Sequence, residues 1–491
     1  MAYFFGASAV TDVFVAAFRI PNLLRDLFAE GALSSAFVPV FKEKLVKEGN
    51  SEAFNLARIV ATAILLFVGA IVLLGILATP LIIYISANGF TEIPEKFDLT
   101  ISLTRIMFVY LLLVSLSALV MGMLNSFGRF GIPAFSPVIF NLGVILTVVL
   151  LYSSLNVPIY AMAIGVLVGG VGQLAIQLPS LYRLGFRFKP VFDLLNEAMK
   201  KVIRLFTPMV LGLSASRINI LVSTLLASFL MEGSLSFLNY SYRLMHFPLG
   251  VFAVALGTVA LPNASEQAAR GDLEGLNQTL NRTLGLNFFV ILPSTFFLAL
   301  FGPDLVSLIF EWGAFSAADT QSTALALLHY SYGLIGFAAV RLIVPIYYAL
   351  QDSKLPMKVS IVTVAFNIAL YFPLIEVLEV AGLAAATSLA GLLNATLLLV
   401  FLPSRGLRPM FGRLFLNITR LGVAAFLAVF VAMMVVPDFR TIVESSVLAR
   451  GLGVLASLVL SGLLYVALCA ALRVPEVGEF WRWVKGRLSR G

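Results

Sequence analysis

The residues of this sequence most able to do chemistry are arginines that interrupt apolar runs. The segment ASAVTDVFVAAFRIPNLLRDLFAEGALSSAFVPVF carries Asp12, Arg19, Arg25, Asp26 and Glu30. A charge near the centre of a bilayer costs about 2.5 kcal/mol or more, so each of these must face water or a partner. Asp26 and Glu30, at i and i+4, share a helix face and could serve Arg19 as structural partners. Arg25 is better suited to holding an anion, because a guanidinium donates paired hydrogen bonds to phosphate. Arg243 lies about nine residues into its own apolar run, with His246 one helical turn later. Arg217 and Arg341 also sit inside apolar runs and form a second tier of candidates with Asp26 and His246, whereas Arg105 and Arg450 lie near enough to run ends to snorkel.

Other chemistries fit less well. His329 reads as a satisfied interior histidine, and no His, Cys or carboxylate cluster has metal-ligand spacing, so no metal and no cofactor is expected. Gly165, Gly169, Gly170 and Gly172 have the look of a helix-packing patch: no strand precedes them and no Gly-Lys-Ser follows, which argues against an ATPase. Cys469 lies in an apolar run as the one cysteine of the chain and reads as a small packing residue.

The elements that position these side chains are membrane helices. Of 491 residues, 60% are hydrophobic and 12% charged, far from the balance of a water-soluble domain. Continuous apolar runs without alternation select helices over a barrel. Thirteen spans are predicted, near 10–40, 56–87, 100–125, 132–153, 158–182, 202–231 and 235–262, then 277–301, 321–350, 357–377, 381–403, 414–436 and 447–472. The formal charge of +8 resides mostly in short loops and the tail, which topology explains without nucleic acid. Loops with Lys42, Lys44, Lys47, Arg129, Arg183, Arg187, Lys200, Lys201, Arg270, Lys354 and Arg405 alternate with loops holding Glu92, Glu95, Asp98, Glu232, Asp304, Glu376 and Asp438. The basic set is expected on the cytoplasmic side, which puts the C-terminus inside and Met1 outside. The end EFWRWVKGRLSR, with Trp481, Arg482, Trp483 and Lys485, suits an interfacial anchor.

The chain also repeats itself. Arg19 and Pro39 match Arg243 and Pro262; Pro80 and Gly89 match Pro303 and Gly313; Pro133 matches Pro356; and Leu-Pro-Ser at 178 recurs at 402, all at a shift of 223 or 224 residues. Proline removes a backbone hydrogen bond and kinks a helix, so repeated prolines repeat helix shapes. The shift preserves sidedness, implying parallel six-helix lobes about an axis along the membrane normal. The expected fold is an all-α polytopic membrane protein of two pseudo-twofold lobes plus two C-terminal helices. The divisions are 1–190, an N-terminal lobe with five spans; 191–405, a lobe with six; 406–473, an appended pair; and 474–491, a basic tail. One helix of the first lobe is expected to be missing at the N-terminus. Arg19 and Arg243, on corresponding kinked helices, would then flank the axis, where such folds bind substrate.

TDVFVAAFRIPNLLRDLFAEGALSSAFVPVF, NSFGRFGIPAFSPVIFN and SYRLMHFPLGVFAVALGTVALP together resemble the MurJ/MviN family of lipid II flippases, and the similarity runs over nearly the whole chain. The resemblance implies the fold of the multidrug, oligosaccharidyl-lipid and polysaccharide exporter superfamily, with fourteen helices in the family. It implies a transporter in the bacterial cytoplasmic membrane, acting in peptidoglycan biosynthesis by alternating access. Lipid II, an undecaprenyl-diphosphate-linked precursor, would be its partner together with membrane lipids, and the protein would be a monomer. Asp12, Arg25 and Arg243 match charged cavity positions of the family, and Glu30 matches its Phe-Ala-Glu-Gly-Ala segment.

The sequence departs from the family pattern at three places. The family's first helix with its Ser-Arg-x-x-Gly-x-x-Arg-Asp pattern is absent, His246 stands where Glu is frequent, and Ser223 and Tyr371 replace acids of a sodium site whose remaining matches are Asn367 and Thr387. The alternatives are an exporter of another polyprenyl-linked oligosaccharide, or an integral-membrane lipid-phosphate enzyme. The enzyme would need clustered acids or a nucleophile in large interfacial loops, and the loops here are short.

Overall fold

A computed structural model describes residues 1–26, 33–407, 411–436 and 447–478. Glu30 and the tail residues Trp481, Arg482, Trp483 and Lys485 lie outside the described residues. Apolar runs in lipid must satisfy their peptide groups internally, and all the regular structure described is helical. The first helices are α1 (Ala2–Phe5), α2 (Ala9–Arg25), α3 (Ser34–Lys47), α4 (Gly49–Ala63), α5 (Gly69–Ser86), α6 (Pro94–Ser126), α7 (Gly131–Leu151), α8 (Tyr160–Ala175), α9 (Leu178–Arg183) and α10 (Glu197–Ala227). They are followed by α11 (Ser234–Pro248), α12 (Val254–Ala269), α13 (Leu273–Leu300), α14 (Gly302–Phe310), α15 (Ala317–Ala349), α16 (Lys354–Leu378), α17 (Val380–Phe401), α18 (Phe411–Val435) and α19 (Val447–Ala471).

Among the described residues, eleven helical segments are long and apolar enough to cross a membrane. Of the other two predicted spans, 10–40 covers α2 and α3, with residues between them that lie outside the described residues, and 202–231 falls largely on α10. Helix starts follow local chemistry. Asn196 caps α10 by accepting from the Ala198 amide at 3.0 Å, and Ser316 and Asp319 form a reciprocal capping box on α15. Several hydroxyls inside the spans donate to carbonyls one turn back, as Thr79 does to Gly75 and Thr104 to Thr100, which satisfies them within their own helix.

Two long rods are not pure α-helix. A π turn at Ile64–Val68 joins α4 to α5, and another at Leu249–Ala253 joins α11 to α12. Each inserts a residue into the ladder and re-aims the side chains beyond it. Asp26, which precedes the start of the second of these turns by the repeat shift, is itself in π conformation.

The chain folds as two compact units, Ser8–Leu235 and Met1–Ala7 with Ser236–Gly491. In the first, α6 is the central post: α2, α3, α5 and α8 pack on it, burying Met107, Phe108, Tyr110 and Leu111. Helices α7 and α8 meet through the glycines noted above, with Gly169 against the Phe140 carbonyl and Gly143 against the Gly169 backbone. Without a hydrophobic effect between helices in lipid, such close approach is what dispersion forces need. Helix α10, the first of the sequence-defined second lobe, packs here on α3 and α5, so the compact units part at 235 while the sequence repeat parts near 190.

In the second unit α15 is the post, flanked by α17 and α13, with α16 behind α17. The α18–α19 pair lies on α13, and its Cys469 is fully buried beside a core that includes Tyr465 and Leu421. The Tyr465 hydroxyl donates to the Phe289 carbonyl at 2.7 Å, fastening this pair to α13.

Candidate functional site

Helix α2 carries its charges along one stretch of 17 residues. Asp12 lies in the first turn, where an acid complements the helix dipole, and is 2% exposed. Its Oδ2 accepts from the Gly233 amide at 2.8 Å. The carboxylate therefore fixes the start of α2 to the turn beyond α10. Arg19, two turns on, is half-buried.

Arg25 closes α2, with its cation in the last turn where the dipole favours it. Asp26 follows, and Arg25 Nη2 donates to Asp26 Oδ1 at 3.0 Å while Arg217 Nη1 of α10 makes an ion pair with Asp26 Oδ2 at 3.1 Å. The three side chains are 23%, 18% and 28% exposed. One carboxylate thus holds two guanidiniums, each of them partly exposed. Such a pair of arginines is suited to a multivalent anion.

In the other unit, Arg243 on α11 is exposed and its Nε donates to Asn239 Oδ1 at 2.9 Å, one helical turn earlier. That bond orients the guanidinium plane and uses neither of its two Nη groups. His246 stacks on Tyr242 with ring centroids 4.0 Å apart, and Tyr242 meets Tyr330 of α15 edge-on at 5.7 Å. Arg341 of α15, exposed, lies within electrostatic reach of His246. Arg243, His246 and Arg341 therefore share one cationic and aromatic face of this unit.

The residues matching a sodium site were tested against the structure. Asn367 Nδ2 donates to the Tyr371 hydroxyl at 3.1 Å, and that hydroxyl lies 3.4 Å from Thr387 Oγ1, which donates to the Leu383 carbonyl. Tyr371 is fully buried, and these side chains are neutral. A cluster that brings no carboxylate does not fit a cation site, because no negative charge offsets the ion's lost hydration. Ser223, the other replaced acid, lies in α10 of the first unit.

Two participants were missed from sequence. Asn239 sits four residues before Arg243, a spacing at which side chains meet on a helix, and could have been found that way. The stacking of Tyr242 on His246 carries the same i,i+4 signal. The partnership of Asp26 with Arg217 joins positions 191 residues apart, and no local rule announces it.

Two helical units rich in membrane-length spans, each with partly exposed or exposed arginines, define a polytopic membrane protein. A family model described as lipid II flippase MurJ matches residues 1–453. The lipid II flippase MurJ of Burkholderia cenocepacia is 34% identical over 429 residues, 86% of this chain and 83% of that protein, and a probable lipid II flippase MurJ of Vibrio cholerae is 34% identical over 405 residues, 81% and 77%. The chain belongs to the lipid II flippase MurJ family, whose members are transporters and not enzymes. A solved lipid II flippase MurJ in an inward closed conformation superposes with a TM-score of 0.77 at 25% identity, covering 96% of this chain and 95% of that one. An inward-facing multidrug resistance transporter of the MATE family superposes with a TM-score of 0.69 at 13% identity, covering 82% and 92%, a likeness of fold.

Proposed function

We propose that this chain carries lipid II, the undecaprenyl-diphosphate-linked peptidoglycan precursor, from the inner to the outer leaflet of the bacterial cytoplasmic membrane by alternating access. The observation that carries the reading is the presence of Arg25 and Arg217 as partly exposed guanidiniums on one carboxylate, in helices that otherwise serve a membrane. A diphosphate cannot cross hydrocarbon unpaired, since the cost of an isolated ion there is prohibitive. Guanidiniums that replace its water lower that barrier while the polyprenyl tail stays in lipid.

Arg25 in the first unit and Arg243 in the second are each a phosphate contact in this reading, with Arg19 and Glu30 in the first segment and Arg341 and His246 in the second as further polar candidates. Asp12 acts on position, through its hold on the Gly233 amide. The alternation of basic and acidic loops supports a cytoplasmic C-terminus, and the protein works as a monomer among membrane lipids. No step is routed through sodium, because the Asn367–Tyr371–Thr387 cluster does not fit it.

The test is complementation of bacteria depleted of their own flippase, with lipid II exposure on the outer leaflet as the readout. The unaltered chain is expected to sustain flipping and Arg25→Ala to abolish it at equal membrane abundance. Full flipping by Arg25→Ala would overturn the assignment.

A further inference from the structure

Asp26 raises a question that the phosphate-binding reading leaves open: why a carboxylate should sit where an anionic substrate must be received. Its two oxygens are divided between two arginines, Oδ1 to Arg25 and Oδ2 to Arg217, each through a single Nη group. A guanidinium has five N–H donors, so the contact with Asp26 occupies only part of Arg217. The Nε of Arg217 is buried and meets no acceptor among the described residues. Two unpaired arginines this close in a low-dielectric setting would repel each other and carry a large desolvation cost, and one acid between them removes both penalties.

We infer that Asp26 is a resident counter-ion that keeps the empty site assembled and yields to the diphosphate, and that Arg217 is the second guanidinium receiving it. This rests on the reading of Arg25 as a phosphate contact. A diphosphate brings at least two negative charges and several acceptor oxygens, enough to engage both arginines at once. A carboxylate brings one charge. When the diphosphate arrives, Asp26 is the weaker ligand and becomes a like charge beside it, so it withdraws from the guanidiniums. On release it returns, which keeps binding from becoming so tight that the substrate cannot leave. Asp26 is thus a positioning residue that tunes affinity, and Arg217 is a contact that distinguishes a diphosphate from a monophosphate.

A plain structural staple between α2 and α10 makes the opposite prediction for Asp26. Removing a staple loosens the arginines and weakens binding, whereas removing a competitor strengthens it. The experiment uses the full chain in lipid nanodiscs, titrated with undecaprenyl diphosphate and, separately, undecaprenyl monophosphate, with thermal stability measured on every variant. Asp26→Asn is expected to bind the diphosphate lipid about fivefold to tenfold more tightly and to flip lipid II more slowly, while Asp26→Glu behaves as the parent. Arg217→Ala is expected to weaken the diphosphate lipid about tenfold with little change for the monophosphate, and Arg217→Lys to fall between. If Arg25→Ala leaves diphosphate binding unchanged, the underlying phosphate reading fails. If Arg25→Ala abolishes binding but Asp26→Asn weakens it, or Arg217→Ala affects both lipids alike, only the present inference is overturned. Should Asp26→Asn not fold, Asp26→Ser carries the same prediction.

Discussion

The Gly89 amide donates to Ser228 Oγ at 3.0 Å, and a side chain on Gly89 would run into the Ser228 backbone. The same joint occurs in the other unit: 224 residues after Gly89, Gly313 lies against the backbone of Tyr3, and the next amide, Ala314, donates to the Tyr3 carbonyl at 2.9 Å. By that shift Ser228 corresponds to position 4, so each glycine meets the equivalent stretch of chain. The repeat read from prolines is therefore a repeat of contacts. Gly89→Ala is expected to destabilise by about 1–3 kcal/mol, since a backbone cannot give way as a side chain can. Gly313→Ala is expected to cost more, because it adds a left-handed conformation at φ 62° to the same collision. Thermal unfolding in detergent decides, and equal midpoints for parent and both variants would refute it.

Glu43 of α3 binds the Lys201 ammonium of α10 and, at 2.9 Å, that of Lys47 on its own helix. Hydrogen bonding to Lys201, followed by that to Lys47, lowers its pKa from an ordinary 4.5 to about 2. A depressed carboxylate stabilises the fold above its unfolded pKa and loses that contribution as pH falls through the folded one. The unfolding midpoint should therefore decline between about pH 4.5 and 2 more in the parent than in Glu43→Gln, with Lys201→Ala close to the variant. Because the group lies at the open surface, molar salt should shrink the difference. Parallel pH profiles at low salt would show that the contact does nothing for stability.

Much of this fold is legible because lipid imposes few solutions. Apolar runs had to be helices, Pro39 and Pro262 lie within α3 and α12, and Gly165 and Gly169 marked a helix seam that the structure closes on Val144 and Phe140. The site was legible only as residue types. Arg25 and Arg243 announce themselves by their cost in a membrane, but what each one touches depends on tertiary approach. Asp26 was expected to share a face with Glu30 in the service of Arg19; the ion pairs that it makes are with its neighbour Arg25 and with Arg217 on another helix. Helical spacing describes one helix and is silent on the next.

The cluster of Asn367, Tyr371 and Thr387 leads to an expectation about coupling. It offers neutral side chains and no carboxylate to a cation, so replacing sodium by choline on both sides of a proteoliposome should leave lipid II flipping unchanged within about twofold. Tyr371→Phe removes a fully buried hydroxyl that accepts from Asn367, at a cost of about 1–2 kcal/mol in stability, and should not create a sodium response. A rate that rises steeply with sodium would refute the argument.

Arg243 offers the sharpest separation of charge from geometry. Its Nε is held by Asn239 at 2.9 Å, which fixes the plane of the guanidinium and frees both Nη groups for a phosphate. Arg243→Lys keeps the charge but presents a point donor in place of a planar fork, so flipping is expected to fall about tenfold. Arg243→Ala should fall further. Asn239→Ala leaves the fork intact but lets it swing, and a loss of about threefold is expected, with the salt dependence of lipid II binding unchanged because no charge has been removed. The order parent, Asn239→Ala, Arg243→Lys, Arg243→Ala in a flipping assay follows from orientation acting on top of charge. If lysine serves as well as arginine, charge alone explains the position and Asn239 has no part in the site.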